Sequence, residues 1–320
     1  MVKARSSRSG SLTEMKCTFR ILFILLQKYV FFRELIVHLT ENVKGMEIRR
    51  IDTGYFYADG GAMFGAVPKS AWMRRYPSDE RNRCVLAMRS LVVQLDDGRV
   101  MLIDTGAGEK HLQQLSYYAF FNQVDLQQAL SSLGISADQV TDVVFTHLHF
   151  DHCGYATHPD GAGGYRLAFP KARHWVSRRQ WENFCTPHPW EAASYFPEDM
   201  QAVAETGQLC LIDADESLGA GVTLRLYDGH TPGQLVPYLQ RGEETFVFAG
   251  DVIPLLASVS LEWISAYDGQ PMVSYEAKQT LLEEAARERQ RLIFCHDAYQ
   301  VGATVRKVKD FYVKDQLIVL

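Results

Sequence analysis

The stretch THLHFDHCG, residues Thr146 to Gly154, packs three histidines and one aspartate into the six positions from His147 to His152, with Asp151 just ahead of the last histidine. Imidazole nitrogen and carboxylate oxygen are the donors that borderline and hard divalent cations take. If the apolar run VVFTH is a strand, His147 and His149 lie two residues apart and project to one side, where both can reach a single ion at about 2.0–2.1 Å. Asp151 and His152 then fall in the turn that follows and point elsewhere, so one motif can feed two neighbouring ions. Further donors stand in YDGHTPG (His230), FAGD (Asp251) and FCHD (His296), each closing an apolar run. Five histidines and two aspartates make a set suited to zinc, or to iron, manganese or cobalt. Two such ions roughly 3.5–4 Å apart would lower the pKa of a bridging water and polarise a carbonyl or phosphoryl oxygen. The reaction class that follows is hydrolysis by a bridging hydroxide. A single histidine at a strand end is ordinarily a surface or core residue, and His38, His111, His158, His174 and His188 are read so; the spaced set is not.

The elements that must position these donors are short. From Met46 onward, MEIRRIDTGYFYADGG reads as an opening strand, followed by SLVVQL, RVMLIDTG (Arg99–Gly106), VTDVVFTH (Val140–His147), VTLRLYDGH (Val222–His230), TFVFAGD (Thr245–Asp251) and RLIFCHD (Arg291–Asp297). These runs are rich in β-branched and aromatic residues and stop at polar or turn-forming ones. Helical spacing occupies Val124–Leu133, Arg178–Phe184 and Tyr275–Gln290, while GAGG (Gly161–Gly164) and CTPHPW are loops. There is no short internal repeat. Two strand-rich halves, each ending in a His or Asp cluster, suit a pseudo-duplicated fold.

With 320 residues, 47% hydrophobic and 22% charged, the chain can bury a substantial core as one large domain. Its charge is uneven. Residues 1 to 45 hold eight Lys and Arg against three Glu, a net of +5, which leaves −10 of the overall −5 on the remainder. An acidic body without a basic segment interleaved with aromatics argues against nucleic acid as a partner. Six scattered cysteines with no CxxC pair point to free thiols in a reducing, cytoplasmic setting. In the first 45 residues FRILFILLQKYVFFRELIVHL is apolar but interrupted by charge, so it meets the requirement neither of a stable membrane span nor of a secretory signal. Arg20, Gln27, Glu34 and Glu41 recur every seven residues, which leaves an interfacial helix or packing arm open. The preferred expectation is a non-native or upstream-start extension ahead of a hydrolase domain spanning 46–320.

HLHFDH, GHTPG, AGD and the late CHD, in that order after an earlier IDTG, strongly resemble the metallo-β-lactamase superfamily over Met46 to about Leu320. The resemblance implies an α/β (α+β) fold, a four-layer αβ/βα sandwich of two facing mixed sheets with outer helices, and a metal site at one edge. Carried over by position, it implies His147, His149 and His230 on one metal, Asp151, His152 and His296 on the second, and Asp251 bridging both. Asp104 in IDTG corresponds to the family's structural aspartate, which supports the ligand loop from behind. Asp151 and Asp251 are the expected catalytic carboxylates; Asp151 either serves only as a ligand or also carries a proton to the leaving group.

Within the superfamily, His149 stands where the flavodiiron oxidoreductases carry an acidic residue, and Asp251 argues against the true β-lactamases. HLHFDH together with GGAMFGAVPKSAW and DERNRC is similar to the quorum-quenching N-acyl-homoserine lactonases and the related organophosphate-hydrolysing branch. Two features depart from that pattern: the first tyrosine after Asp251 is Tyr267, and GHTPGH is GHTPGQ, with Gln234 last. The expected activity is therefore a dinuclear metal-dependent hydrolase of small esters, lactones foremost, with two divalent ions, zinc first, and a small-molecule ester or lactone as partner. Phosphotriester or phosphodiester cleavage is the alternative within hydrolysis, and a metal-free binding or scaffold protein the alternative outside it. Met63, Phe64, Trp72, Trp263 and Tyr267 are either an apolar substrate wall or, more ordinarily, core. Cys153 and Cys295 are read as packing beside the ligands. Substrate choice is expected in Gly60–Arg83 and Pro254–Gln270.

Overall fold

The computed structural model describes residues 45–320; the expectations for the apolar segment ahead of them lie outside the described residues. Strand β1 (Glu47–Asp59) runs antiparallel to β2 (Arg83–Gln94), with a bulge between Asp52 and Gly54. Next come β3 (Val100–Ile103) and β4 (Asp142–Val144). A small hairpin of β5 (Thr157–Pro159) and β6 (Tyr165–Leu167) interrupts the sheet before β7 (Arg173–Ser177) and β8 (Leu209–Ile212) complete it in the order β1-β2-β3-β4-β7-β8. The second sheet is built from β9 (Glu216–Gly219), β10 (Val222–Tyr227), β11 (Gln234–Arg241), β12 (Glu244–Phe248), β13 (Arg291–Ile293), β14 (Gly302–Val308) and β15 (Phe311–Ile318), ordered β15 to β9. Both sheets are mixed: β3, β4, β7 and β8 are mutually parallel, as are β12 and β13, and the remaining pairs are antiparallel.

Alternation along the strands assigns residues to layers, because neighbouring side chains leave opposite faces of a strand. Leu91, Val93, Met101, Ile103 and Val144 point inward and meet Leu235, Leu239, Phe246, Phe248 and Ile293 of the facing sheet. Their neighbours Val92, Leu102 and Val143 point outward, under Leu126, Leu130, Met200 and Val203. On the other side Val236, Val247 and Leu292 are covered by Leu281, Leu282 and Ala285. Strands buried on both faces read as near-continuous apolar runs, as they do here. The result is the four-layer αβ/βα sandwich.

The helices begin where local chemistry starts them. Asp125 caps Leu126–Ser132 by accepting from the Gln128 N–H, and Ser177 caps Arg178–Cys185 by accepting from the Gln180 N–H. The last helix starts at Pro271, earlier than its apolar spacing indicates, and ends at Glu288, because proline is accommodated in a first turn whose N–H groups have no intrahelical partner. Among the described residues no helix is long and apolar enough to cross a membrane.

The strands that deliver the metal-type residues are shorter than their apolar runs. β4 stops at Val144, so His147 and His149 stand on the irregular segment beyond it rather than on a strand. His149 is the N-cap residue of a one-turn helix, Phe150–Cys153, whose first turn carries Asp151 and His152.

Candidate metal centre

The seven expected residues meet at one edge of the sandwich, beyond the C-terminal ends of β4, β10, β12 and β13. His147, His149 and His230 form one group, and Asp151, His152 and His296 another; Asp251 joins His147 and His152 in a third. Ring nitrogens converge: His230 Nε2 lies 3.3 Å from His147 Nε2 and 3.2 Å from His149 Nδ1, and His152 Nε2 lies 3.1 Å from His296 Nε2. Asp251 stands between the groups, with Oδ2 3.5 Å from His230 Nε2 and Oδ1 3.1 Å from His296 Nε2 and 3.4 Å from His152 Nε2. Asp151 Oδ2 is 3.5 Å from His296 Nε2.

The outward nitrogens show what the inward ones are for. His152 Nδ1 faces Asp104 Oδ2 at 2.8 Å, His230 Nδ1 faces Asp268 Oδ1 at 3.0 Å, and His296 Nδ1 faces the Ala87 carbonyl at 2.8 Å. Each outward partner is an acceptor of a ring N–H, so in the neutral tautomer the other nitrogen carries a lone pair aimed at the centre. Lone pairs about 3 Å apart repel unless a cation lies between them. Nitrogens held by one tetrahedral ion at about 2.0–2.1 Å stand ~3.3 Å from each other, and the observed spacings match. The donor set therefore fits divalent metal ions. Burial drives His147 well below and His149 below the usual histidine range, whereas, against the same burial, Asp151 and Asp104 raise His152, Asp251 and Asp268 raise His230, and Cys295 and Asp251 raise His296. Burial opposes ionisation of Asp251, yet His296 and His230 hold its carboxyl well below the usual range.

Backbone bonds place the donors. Asp104, at φ +55°, receives the Thr146 N–H at 2.7 Å and the Thr146 hydroxyl at 2.8 Å, while the Thr105 N–H reaches the His152 carbonyl at 2.7 Å. The Leu235 N–H donates to the Thr146 carbonyl at 2.7 Å and the Ala87 N–H to the His296 carbonyl at 2.9 Å, so main-chain bonds cross between the two sheets at the site. Gly250, at φ +51°, turns the chain into Asp251 where a Cβ would lie 2.6 Å from Gln234 Nε2. With its carboxamide oxygen toward this turn, Gln234 accepts from the N–H groups of Asp251 and Val252 at 3.0 and 3.2 Å. The glutamine in GHTPGQ thus supports the Asp251 loop.

Other expected residues divide. Met63 and Tyr267 line a cavity of about 610 Å³ that opens onto the candidate ligands, and the Tyr267 ring stands edge-on to His230 at 5.4 Å. Phe64 and Trp72 are instead core, with Trp263 half-buried against them: Phe64 stacks on Trp72 at 4.9 Å and meets Trp263 edge-on at 5.7 Å. Cys153 donates to the Leu148 carbonyl at 3.3 Å and Cys295 to Asp251 Oδ1 at 3.2 Å. Burial pushes both thiols above the usual range, which suits packing rather than nucleophilic attack. His111 pairs with Asp199 at 3.0 Å, His158 packs edge-on to Tyr155, His174 is buried with its pKa pulled by desolvation to about 4, and His188 accepts from the Trp190 N–H; none joins the centre.

Three positions at the candidate site escape the sequence patterns. Asp268 and Glu191 face outward nitrogens of His230 and His149, the latter at 3.4 Å and off the hydrogen-bond axis. Burial opposes ionisation of Glu191, but His149 and Asn183 hold its pKa down at about 2. Trp190 lines the cavity from a proline-containing loop. Nothing in the spacing of these residues relative to the histidines marks them.

Residues 89–296 match the model of the metallo-beta-lactamase superfamily, and the chain belongs to that family. Its fold is that of solved hydrolases. A probable metal-dependent hydrolase from Staphylococcus aureus aligns with a TM-score of 0.76 at 24% identity, over 86% of this chain and 98% of that one. AidC, a dizinc quorum-quenching lactonase in complex with a product, N-hexanoyl-L-homoserine, aligns at 0.71 and 18% identity over 86% and 95% of the two chains. AbOPH, a hydrolase in the beta-lactamase superfamily, aligns at 0.70 and 20% identity over the same shares, 86% and 95%. Members of the superfamily typically bind two divalent metal ions.

Proposed function

We propose that the chain is a dinuclear-metal hydrolase of small neutral esters, lactones foremost, with its activity in residues 46–320. The observation that carries this reading is the paired convergence of nitrogen lone pairs on either side of Asp251, each oxygen of which faces a different histidine group. In this assignment His147, His149 and His230 hold one ion, Asp151, His152 and His296 the other, and Asp251 spans them, with zinc the first choice of metal. Bound there, such ions would lower the pKa of a bound water and polarise the scissile carbonyl.

The chain's own residues do the rest. Asp104, Asp268 and the Ala87 carbonyl orient His152, His230 and His296, which limits the reorganisation that binding would require. The Asp151 carboxylate lines the cavity at the foot of the ligand helix, where it can take the proton of the attacking water and return it to the departing alkoxide oxygen. Tyr267 keeps its phenolic proton, because burial and then Asp251 raise it well above the usual range, and its ring closes one wall beside His230.

The test is a panel of acyl-homoserine lactones, aryl esters and a phosphotriester on metal-loaded protein, with metal content measured alongside and a version begun at Met46 run in parallel. Lactone and ester turnover with close to two ions per chain is expected, and in the Met46 version too. Asp151→Asn should keep the metal and lose at least a hundredfold in kcat. Turnover of the phosphotriester alone, or well under one ion per chain after growth with zinc or manganese, would overturn the reading.

A further inference from the structure

His149 differs from the other candidate histidines in what stands behind its ring. His147, His152, His230 and His296 each have a partner for the nitrogen turned away from the centre: Thr146 Oγ1 at 3.1 Å, Asp104 Oδ2 at 2.8 Å, Asp268 Oδ1 at 3.0 Å and the Ala87 carbonyl at 2.8 Å. His149 turns Nδ1 inward, 3.2 Å from His230 Nε2, and its Nε2 is buried without a hydrogen-bond partner among the described residues. A neutral imidazole that gives its Nδ1 lone pair to an ion carries its proton on Nε2. Left unpaired in the interior, that N–H costs about 1–3 kcal/mol. The Glu191 carboxylate faces it, with Oε2 3.4 Å away and off the hydrogen-bond axis.

That carboxylate is aimed by its surroundings. Asn183 Nδ2 donates to Oε1 at 2.9 Å and the Tyr195 hydroxyl to Oε2 at 3.1 Å. The Tyr195 ring lies 4.8 Å from that of His149, and its hydroxyl is 2.9 Å from Oγ1 of Thr231, the residue after His230. Gln180, buried on the helix Arg178–Cys185 that also carries Asn183, accepts from the Leu148 N–H at 3.2 Å and donates to Thr231 Oγ1 at 2.9 Å and to the Pro232 carbonyl at 2.8 Å. One short helix thereby ties the segment between His147 and His149 to the segment after His230. Glu191 belongs to the same network, and buried polar groups that are mutually paired hold one arrangement.

The loop of Glu191 is closed on itself. The N–H groups of Glu191 and Ala192 reach the His188 carbonyl at 3.0 and 3.1 Å, and the Trp190 N–H reaches His188 Nδ1 at 3.1 Å. Closing Glu191 from 3.4 Å to the ~2.7–2.9 Å of a charge-assisted bond therefore carries its chain neighbour Trp190, which is 66% exposed.

We infer that Glu191 is the positioning residue of His149, closing onto the Nε2–H when an ion is held on Nδ1 and drawing the loop of Trp190 with it. This rests on the dinuclear-metal reading. It gives the fifth histidine the outward acceptor that its sequence neighbours do not supply, and it makes filling of the His147–His149–His230 group visible at Trp190.

The test uses the full chain, stripped of metal and titrated with zinc against a chromophoric chelator, in native form and as Glu191→Gln, Glu191→Ala and Trp190→Phe. Glutamine keeps the size of the side chain, but whichever way its amide turns, its N–H groups face an N–H of His149 or of Asn183. In both Glu191 variants one of the two ions should bind about 10–100-fold more weakly, while the other stays within about threefold of native. Tryptophan fluorescence followed through the same titration should show a saturable change in the native chain that is missing from Trp190→Phe and, at saturating zinc, from Glu191→Gln. Native affinity for both ions in Glu191→Gln, equal weakening of both in step with a lower Tm, or the absence of a signal that depends on both Trp190 and Glu191 overturns the assignment and leaves the dinuclear reading standing. Well under one ion per native chain overturns both.

Discussion

Asp104 sits behind the centre, yet it binds Thr146 twice and His152 once, so a single carboxylate sets both the start of the ligand loop and the tautomer of a candidate ligand. Asp104→Ala should weaken metal binding by about 10–100-fold, read by competition titration with a chromophoric chelator. Unchanged affinity would reduce Asp104 to a fold residue. The residue scale is also where the sequence was most legible. His147, His149, Asp151 and His152 announce themselves by spacing, and His230, Asp251 and His296 by closing apolar runs. Their supporters are silent: Asp268 is 38 positions from His230 and Glu191 lies 42 beyond His149, in loops where acidic residues are common. Only folding shows which carboxylate faces which ring.

Among the elements, the one-turn helix Phe150–Cys153 depends on close backbone contact rather than on its own length. A Cβ at Gly154 would meet the Ala107 carbonyl oxygen at 2.2 Å and its carbon at 2.6 Å. Gly154→Ala should therefore cost about 1–3 kcal/mol by denaturant unfolding and lower metal occupancy with it, since the displaced turn carries Asp151 and His152. The long helix Pro271–Glu288 offers a different check. Its Lys278 is 2% exposed and donates to the Ser260 and Trp263 carbonyls, and burial pulls its pKa down to about 8. The unfolded chain keeps that proton to pH ~10.4, so the folded state is penalised fully below pH 8 and not at all above the unfolded value. Relative to Lys278→Met, the native chain should gain stability as pH rises from 8 towards 10.5, by at most about 3 kcal/mol. A pH-independent difference would show that the amine is solvated. Apolar spacing placed three helices to within a few residues and passed over Pro197–Glu205, and it overran β4, because the ladder pairing ends at Val144 and composition does not register where a strand loses its partner.

For the molecule as a whole, the candidate centre is also a joint. His147, His149, Asp151 and His152 follow the first sheet, while His230, Asp251 and His296 follow the second. Buried Arg89 strengthens the same edge by binding Asp52 within its own sheet and the carbonyls of Phe294 and Asp297 beyond β13. Ions held there would bind the folded chain and not the unfolded one, so chelation should lower Tm by several degrees and added zinc should restore it in a concentration-dependent way. An identical Tm with and without chelator would mean the joint is closed by protein contacts alone. What the sequence by itself determined is the donor set, the alternating apolar runs that become two buried sheets, and hence the family and its hydrolytic chemistry, because these are written in residue type and short spacing. What only the tertiary structure decided is which oxygen of Asp251 faces which histidines, which acids orient them, and that Met63 and Tyr267 face the cavity while Phe64, Trp72 and Trp263 do not. Those depend on the register between two sheets and on the course of loops across their edge, which are set by contacts between residues far apart in the chain.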